Sequence, residues 1–258
     1  MNLQKNYSIH CLAAGAVRTM VRTLNQENQV LLTPAVFPIL VFYLKADGSR
    51  ILIDTGAPNP ALLSNVLRQA GIGPREIDTV ILTHLHFDHC ANSELFPRAR
   101  FFLQRREWDF AQHPDPSQRD IYLPELMAEV QQRDLLLVDG DLQLTDGVSV
   151  HLVPGHTPGQ QAVSVSTKDG LYLVAGDLFG TFSNINPAIH KLTDLTGKTI
   201  IPPILPGQDL YPPGILIDLN DWQASARKLL AIAGSRERII PSHEPVLCGQ
   251  IFPAQPSD

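Results

Sequence analysis

The sequence predicts a mixed fold in which strands and helices alternate, of the α/β or α+β class. Three observations carry that prediction: short apolar runs rich in β-branched and large aliphatic residues, helical periodicities between them, and a composition able to fill a large core. The chain has 258 residues, 44% of them hydrophobic and 18% charged, which is too apolar for disorder. No internal repeat, low-complexity tract or like-charge block divides it, so residues 1–258 are expected to form one domain.

Strands are expected at 38–44, 50–53, 79–82, 100–103, 135–138, 148–153, 162–166, 171–175 and 237–240, each a short apolar run bounded by polar or turn-forming residues. Helices are expected at 60–70, 105–112, 124–132 and 221–233, the last opening on Asn220 or Asp221 as N-cap. One stretch breaks the rhythm. From 179 to 214 no periodicity persists, and Pro187, Pro202, Pro203, Pro206, Pro212 and Pro213 oppose regular structure. Because it also carries Phe182, Ile185, Ile189, Ile201, Ile204 and Tyr211, we expect a lid or substrate loop, the plainer alternative being a cover for the core or a dimer contact.

Charge and cysteine usage narrow the class further. Twenty Lys+Arg against 26 Asp+Glu give a net charge of −6, so no basic stripe exists for a nucleic-acid backbone. No apolar stretch approaches the roughly 20 residues that cross a bilayer. The run 11–17 is cut by Arg18 and lacks a small-residue cleavage site, which argues against a signal peptide. Cys11, Cys90 and Cys248 are odd in number and far apart, so they point to a reducing, cytoplasmic setting rather than a disulfide framework. Each is expected to be a small buried residue, with Cys90 of interest because it follows His89. Monomer and homodimer are both compatible with the sequence.

The chemistry is concentrated in His84-Leu85-His86-Phe87-Asp88-His89. Three imidazoles and a carboxylate in six positions are poor core material and costly to bury unpaired, so they read as metal ligands. In extended chain His84 and His86 point the same way and can hold one ion. Asp88 and His89 then face elsewhere and suit a second. His156, Asp177 and His243 each follow directly on a predicted strand, as does the cluster itself, so four loops beyond strand ends carry ligand-type residues. Alone, each of the three reads as a structural histidine or a turn aspartate; beside the cluster they read as ligands. Imidazole and carboxylate without thiolate suit Zn²⁺ first and Fe, Mn or Co second. Of the other histidines, His10, His113 and His151 have no partner pattern, while His190 in the long loop is a candidate for substrate contact.

His84-x-His86-x-Asp88-His89 with His156, Asp177 and His243 resembles the metallo-β-lactamase superfamily, and Leu52-Ile53-Asp54-Thr55-Gly56 resembles its early Asp-Thr-Gly turn. The likeness runs over essentially the whole chain. It implies an α+β fold, an αββα sandwich of two mixed sheets with helices outside. It implies one metal on His84, His86 and His156, a second on Asp88, His89 and His243, and Asp177 bridging them, with Asp54 and Thr83 orienting ligands. Within the superfamily the chain is most similar to N-acyl homoserine lactone lactonases, through Thr83 to His89, Gln104-Arg105-Arg106-Glu107-Trp108 and Thr157-Pro158-Gly159-Gln160-Gln161. Those enzymes often place a tyrosine three residues after the bridging aspartate, where this chain has Gly180.

The resemblance implies two Zn²⁺ per chain and a hydroxide shared by them that attacks a lactone carbonyl, with Asp88 as the catalytic group that carries the proton. Phe179, Phe182, His190 and Tyr211 are the expected substrate residues, accepting a small molecule with an apolar portion. The alternatives are a thioesterase of the glyoxalase II type, a phosphoester hydrolase, or a non-heme iron oxidoreductase; a catalytically silent binding protein would be expected to have lost ligands.

Overall fold

The computed structural model describes residues 5–25, 27, 29–186, 188–189, 191–202, 207 and 209–254. In chain order the strands are β1 (Ser8–Leu24), β2 (Val30–Ala46), β3 (Ser49–Ile53), β4 (Thr79–Ile81), β5 (Arg100–Gln104), β6 (Asp134–Val138), β7 (Leu142–Thr145), β8 (Val148–Leu152), β9 (Gln161–Thr167), β10 (Gly170–Val174), β11 (Leu192–Thr193), β12 (Thr199–Ile200), β13 (Ile239–Ile240) and β14 (Ile251–Phe252). The helices are α1 (Pro60–Gln69), α2 (Phe87–Cys90), α3 (Arg105–Gln112), α4 (Pro124–Gln131), α5 (Phe182–Ile185) and α6 (Leu219–Ala233).

Among the described residues two mixed sheets face each other. One has the order β14-β1-β2-β3-β4-β5-β6, the other β13-β10-β9-β8-β7. Strands β3 to β6 run parallel, as do β10 and β13, and the other pairs in these two sheets are antiparallel. The period of two divides the side chains of each strand between two cores. Leu40, Phe42 and Leu44 of β2, Ile51 and Ile53 of β3 and Ile81 of β4 meet Val150, Val163, Val165 and Val174 between the sheets. Their alternates Val41, Tyr43, Leu52 and Val80 turn outward onto Leu63 and Leu67 of α1 and onto Met127 and Val130 of α4. On the far side Ala162, Leu173 and Ala175 pack under Trp222, Ala226 and Leu229 of α6, which the i, i+4, i+7 spacing puts on one stripe. The layers are therefore helix, sheet, sheet, helix: the αββα sandwich the resemblance implies.

Helix α1 starts where Asn59 accepts a hydrogen bond from Leu62 N and Pro60 supplies a preset φ. Helix α6 corrects its expected start: the cap is Asp218, accepting from Asp221 N at 2.8 Å, rather than Asn220 or Asp221. Asp218, Asn220 and Asp221 all have side chains able to cap, and the choice falls to Asp218, whose backbone is extended.

Two expectations about extent are also corrected. Strand β2 reaches back to Val30, and the segment 8–24 is a full partner strand that pairs with it out to Leu24. This β1–β2 arm was hidden because its Ala-rich start, Gly15 and two arginines carry little strand propensity; pairing, not propensity, holds it. The loop 179–214 is not wholly irregular, since it contains α5 and the β11–β12 hairpin. Leu192 and Ile200 of that hairpin pack on Ala35 and Phe37 of the arm, so this part of the loop covers the arm.

Candidate metal centre

The ligand-type residues gather at one end of the sandwich. His84 and His86 leave β4, Asp88 and His89 sit on α2, His156 follows β8, Asp177 follows β10 and His243 follows β13. The two sheets are tied together here by Gln161 N to Thr83 O at 2.9 Å and Leu40 N to Ser242 O at 3.3 Å. Gly155 permits the turn that carries His156, because a Cβ there would lie 2.5 Å from the Trp222 backbone.

Three overlapping groups result: His84, His86 and His156; His84, His89 and Asp177; and Asp88, His89 and His243. Within each, one ligand atom per residue lies within 4.8 Å of the others. His86 Nδ1 is 3.0 Å from His84 Nε2 and 3.1 Å from His156 Nε2. Asp177 stands between the sets, with Oδ1 3.1 Å from His243 Nε2 and 3.3 Å from His89 Nε2, and Oδ2 3.5 Å from His156 Nε2. Asp88 Oδ2 is 3.8 Å from His89 Nε2 and 3.9 Å from His243 Nε2.

Around them, acceptors fix which ring nitrogen of each histidine holds a proton. His89 Nδ1 donates to Asp54 Oδ2 at 2.7 Å, His86 Nε2 to Gln118 Oε1 at 3.2 Å, His156 Nδ1 to Ile215 O and His243 Nδ1 to Pro38 O, both at 2.9 Å. Thr83 Oγ1 gives its hydrogen to Asp54 Oδ2 at 2.8 Å and so accepts from His84 Nδ1 at 3.0 Å. In the His84, His86 and His156 rings the proton is held on the outer nitrogen and the lone pair points inward; His89 and His243 also turn Nε2 inward, where a bound ion would take the place of a proton. Lone pairs 3 Å apart repel unless a cation lies among them, and among the described residues His89 Nε2 is buried with no well-formed hydrogen bond, only Asp177 Oδ1 at 3.3 Å facing it. The donors thus fit one or two borderline divalent cations, as carboxylate and imidazole sites do.

Electrostatics agree. Burial, reinforced by neighbouring imidazoles, holds His84 and His86 well below the ordinary histidine value, and burial lowers His156 despite Asp177. These rings keep their lone pairs free at neutral pH. Burial opposes charge on His89 and His243 too, but the Asp177 and Asp88 carboxylates outweigh it, raising His89 well above its usual value and His243 to about 9. Asp177, against its burial, is held well below the usual carboxylate range by His243 and His89. Without an ion, protons on those two rings balance the carboxylates.

The seven expected ligands are therefore brought together, with Asp54 and Thr83 behind them. The substrate residues fare differently. Phe179 is wholly buried against Trp222, ring centroids 6.3 Å apart, its extended backbone placing it under α6. Phe182 is half-buried with its N–H on Glu244 Oε2 at 2.9 Å, and Tyr211 is tied by its N–H to Asn184 O at 2.9 Å. His190 lies outside the described residues. Gly180 leaves room beside the site, since a Cβ there would meet only Asn184 Oδ1 at 3.7 Å and His243 Cδ2 at 3.8 Å. Cys90 is buried, donates to Leu85 O and is pushed up by burial, so it is an inert thiol. Sequence reasoning missed Gln118, whose amide joins His86 to the His156 carbonyl at 3.1 Å; nothing in its local pattern marks it.

Comparison with known proteins accords with this geometry. The family model for the metallo-beta-lactamase superfamily matches residues 34–243. An N-acyl homoserine lactonase from Bacillus sp is 28% identical over 172 residues, 57% of this chain and 66% of that protein. The chain thus spans about two thirds of the length of that relative. Metallo-beta-lactamase domain-containing protein 1 of Mus musculus is 37% identical over 134 residues, 50% of this chain and 44% of that one. A solved quorum-quenching N-acyl homoserine lactone lactonase superposes with a TM-score of 0.71 at 22% identity, covering 98% of this chain and 99% of its own. With the motif, the sandwich and the family model in agreement, the chain belongs to the metallo-beta-lactamase superfamily, and its centre is that of a metal-dependent hydrolase.

Proposed function

We propose that this protein opens the ester ring of lactones resembling N-acyl homoserine lactones, at a pair of divalent cations, zinc first among them. The observation that carries the reading is Asp177 within 3.5 Å of histidines from both ligand sets, joined to the lactonase relatives. His84, His86 and His156 would hold one ion, Asp88, His89 and His243 the other, and Asp177 both. When bound, such a pair supplies Lewis acidity and lowers the pKa of water toward neutrality.

The chain's own residues do the rest. Water adds to the lactone carbonyl and the ring C–O bond breaks; Asp88, with its side chain 11% exposed, takes the proton from the attacking water and returns it to the departing alkoxide. Asp54 keeps His89 oriented throughout. The half-buried Phe182 and Tyr211 are assigned to the acyl portion, which needs apolar area rather than polar detail, and His190, outside the described residues, is proposed as a further substrate contact. Among the described residues no helix is long and apolar enough to cross a membrane; the three free cysteines favour a cytoplasmic setting. The test is metal analysis with a pH-indicator assay on homoserine lactones of graded chain length, a simple γ-lactone, a thioester and a phosphodiester. Lactone opening should dominate; thioester or phosphodiester cleavage far exceeding it would overturn the substrate while keeping the site.

A further inference from the structure

Glu107, in the first turn of α3, is wholly buried, and among the described residues no Lys, Arg or His pairs with it. A carboxylate so placed is costly unless its lone pairs are filled. Four donors fill them. Oε1 accepts Leu85 N at 3.0 Å and the Tyr122 hydroxyl at 2.7 Å, Oε2 accepts Thr157 Oγ1 at 2.5 Å, and Gly159 N also donates.

The donors come from three distant segments, and each segment supports the same ligand set. Leu85 lies between His84 and His86. Thr157 follows His156, and Gly159 closes that turn so tightly that a Cβ would lie 1.9 Å from Glu107 N. The Tyr122 ring packs edge-on against His86, centroids 4.7 Å apart. Nothing comparable links Glu107 to the other set: His89 is held by Asp54 and by Thr55 N on its carbonyl, and His243 by Pro38 O.

We propose that Glu107 is a positioning residue that latches the His84–His86 and His156 loops together and so sets the affinity of one metal of the pair, leaving the other to the Asp54 support. The inference rests on the metal reading of the site but not on its substrate.

In Glu107→Gln the amide nitrogen faces donors where a carboxylate oxygen accepted them; Thr157→Val and Tyr122→Phe each delete one bond with little loss of volume. Zinc-loaded proteins are dialysed against graded chelator and the retained zinc counted, with circular dichroism of the metal-free proteins as the fold control. Wild type should hold two ions. Glu107→Gln should release one at roughly 10- to 100-fold lower chelator strength and keep the other at wild-type affinity, in line with losses of ligand-orienting partners elsewhere. Thr157→Val should shift the same ion less. With Co²⁺ in place of zinc, the ion left in Glu107→Gln should give the absorption spectrum of His86→Ala rather than that of His243→Ala. Equal weakening of both ions, or a folded Glu107→Gln with wild-type retention of both, would overturn the latch. If Glu107→Gln does not fold, Thr157→Val decides, and its retaining both ions unchanged is contrary. Wild type holding no ion would instead defeat the proposed function.

Discussion

Asp54 and His89 meet at 2.7 Å, a carboxylate oxygen taking the Nδ1–H of a fully buried ring. Asp54 does so from a left-handed backbone, φ 62°, which few side chains other than Asp and Asn adopt readily. It also accepts Thr83 N at 2.7 Å and Thr83 Oγ1 at 2.8 Å.

Replacing Asp54 with Ala strands three buried donors at about 1–3 kcal/mol each and leaves the backbone strain in place. The variant is expected to lose several kcal/mol in denaturant unfolding and to retain little zinc. Asp54→Asn keeps the backbone and should lose less stability, yet bind metal more weakly. Wild-type stability in the alanine variant would show that the carboxylate is not the anchor described here.

The metal-free protein should weaken as pH rises. His243 is raised from 6.5 to about 9 in the fold, so between those values the folded state binds a proton the unfolded chain has released. Its contribution is full below pH 6.5 and lost as pH passes 9, amounting to at most about 3 kcal/mol. Unfolding of chelator-treated protein at pH 6.5, 8 and 9.5 tests this. Stability that climbs over the window would mean the carboxylates do not protonate the ring.

What could be read from the chain alone follows from which physical demand each residue answers. The metal ligands were legible because coordination requires particular side chains, and His84 to His89 has no use in a core. Strands β3 to β10, apart from β7, announced themselves by apolar runs buried on one or both faces. The arm did not, because in β1 an Ala-Ala-Gly-Ala stretch and two arginines interrupt the apolar residues and pairing with β2 holds the strand, and β7 has only Leu-Gln-Leu-Thr half exposed. Gln118 and the latch formed by Glu107 are invisible for a different reason. Their meaning lies in convergence of residues 15 to 50 positions apart, which a linear pattern does not record.

The arm offers a contrast between its two faces. Phe37 is buried under the β11–β12 hairpin, whereas Leu32 is 65% exposed. Phe37→Ala should cost about 3–5 kcal/mol and speed amide exchange across 192–200, while Leu32→Asp should stay within about 0.5 kcal/mol. Unchanged exchange in the hairpin would show that something else holds it.

Tyr211 stands in a segment whose backbone is fastened to Asn184, close in sequence to Gly180 and its open space beside His243. If its phenol assists the carbonyl, Tyr211→Phe should lower kcat for lactones with little change in metal content. A rate equal to wild type would remove it from the site.

Asp177 remains the most direct point of attack, since among the described residues it is the carboxylate that reaches the inward nitrogens of histidines from both sets. Ions per chain should be counted by mass spectrometry for zinc-loaded wild type and Asp177→Ala, with γ-lactone opening followed on the same samples. The account predicts two ions in wild type, at most one in the variant, and loss of most of the activity with it. A saturated wild type carrying a single ion, or a variant that keeps both ions and its turnover, would contradict it.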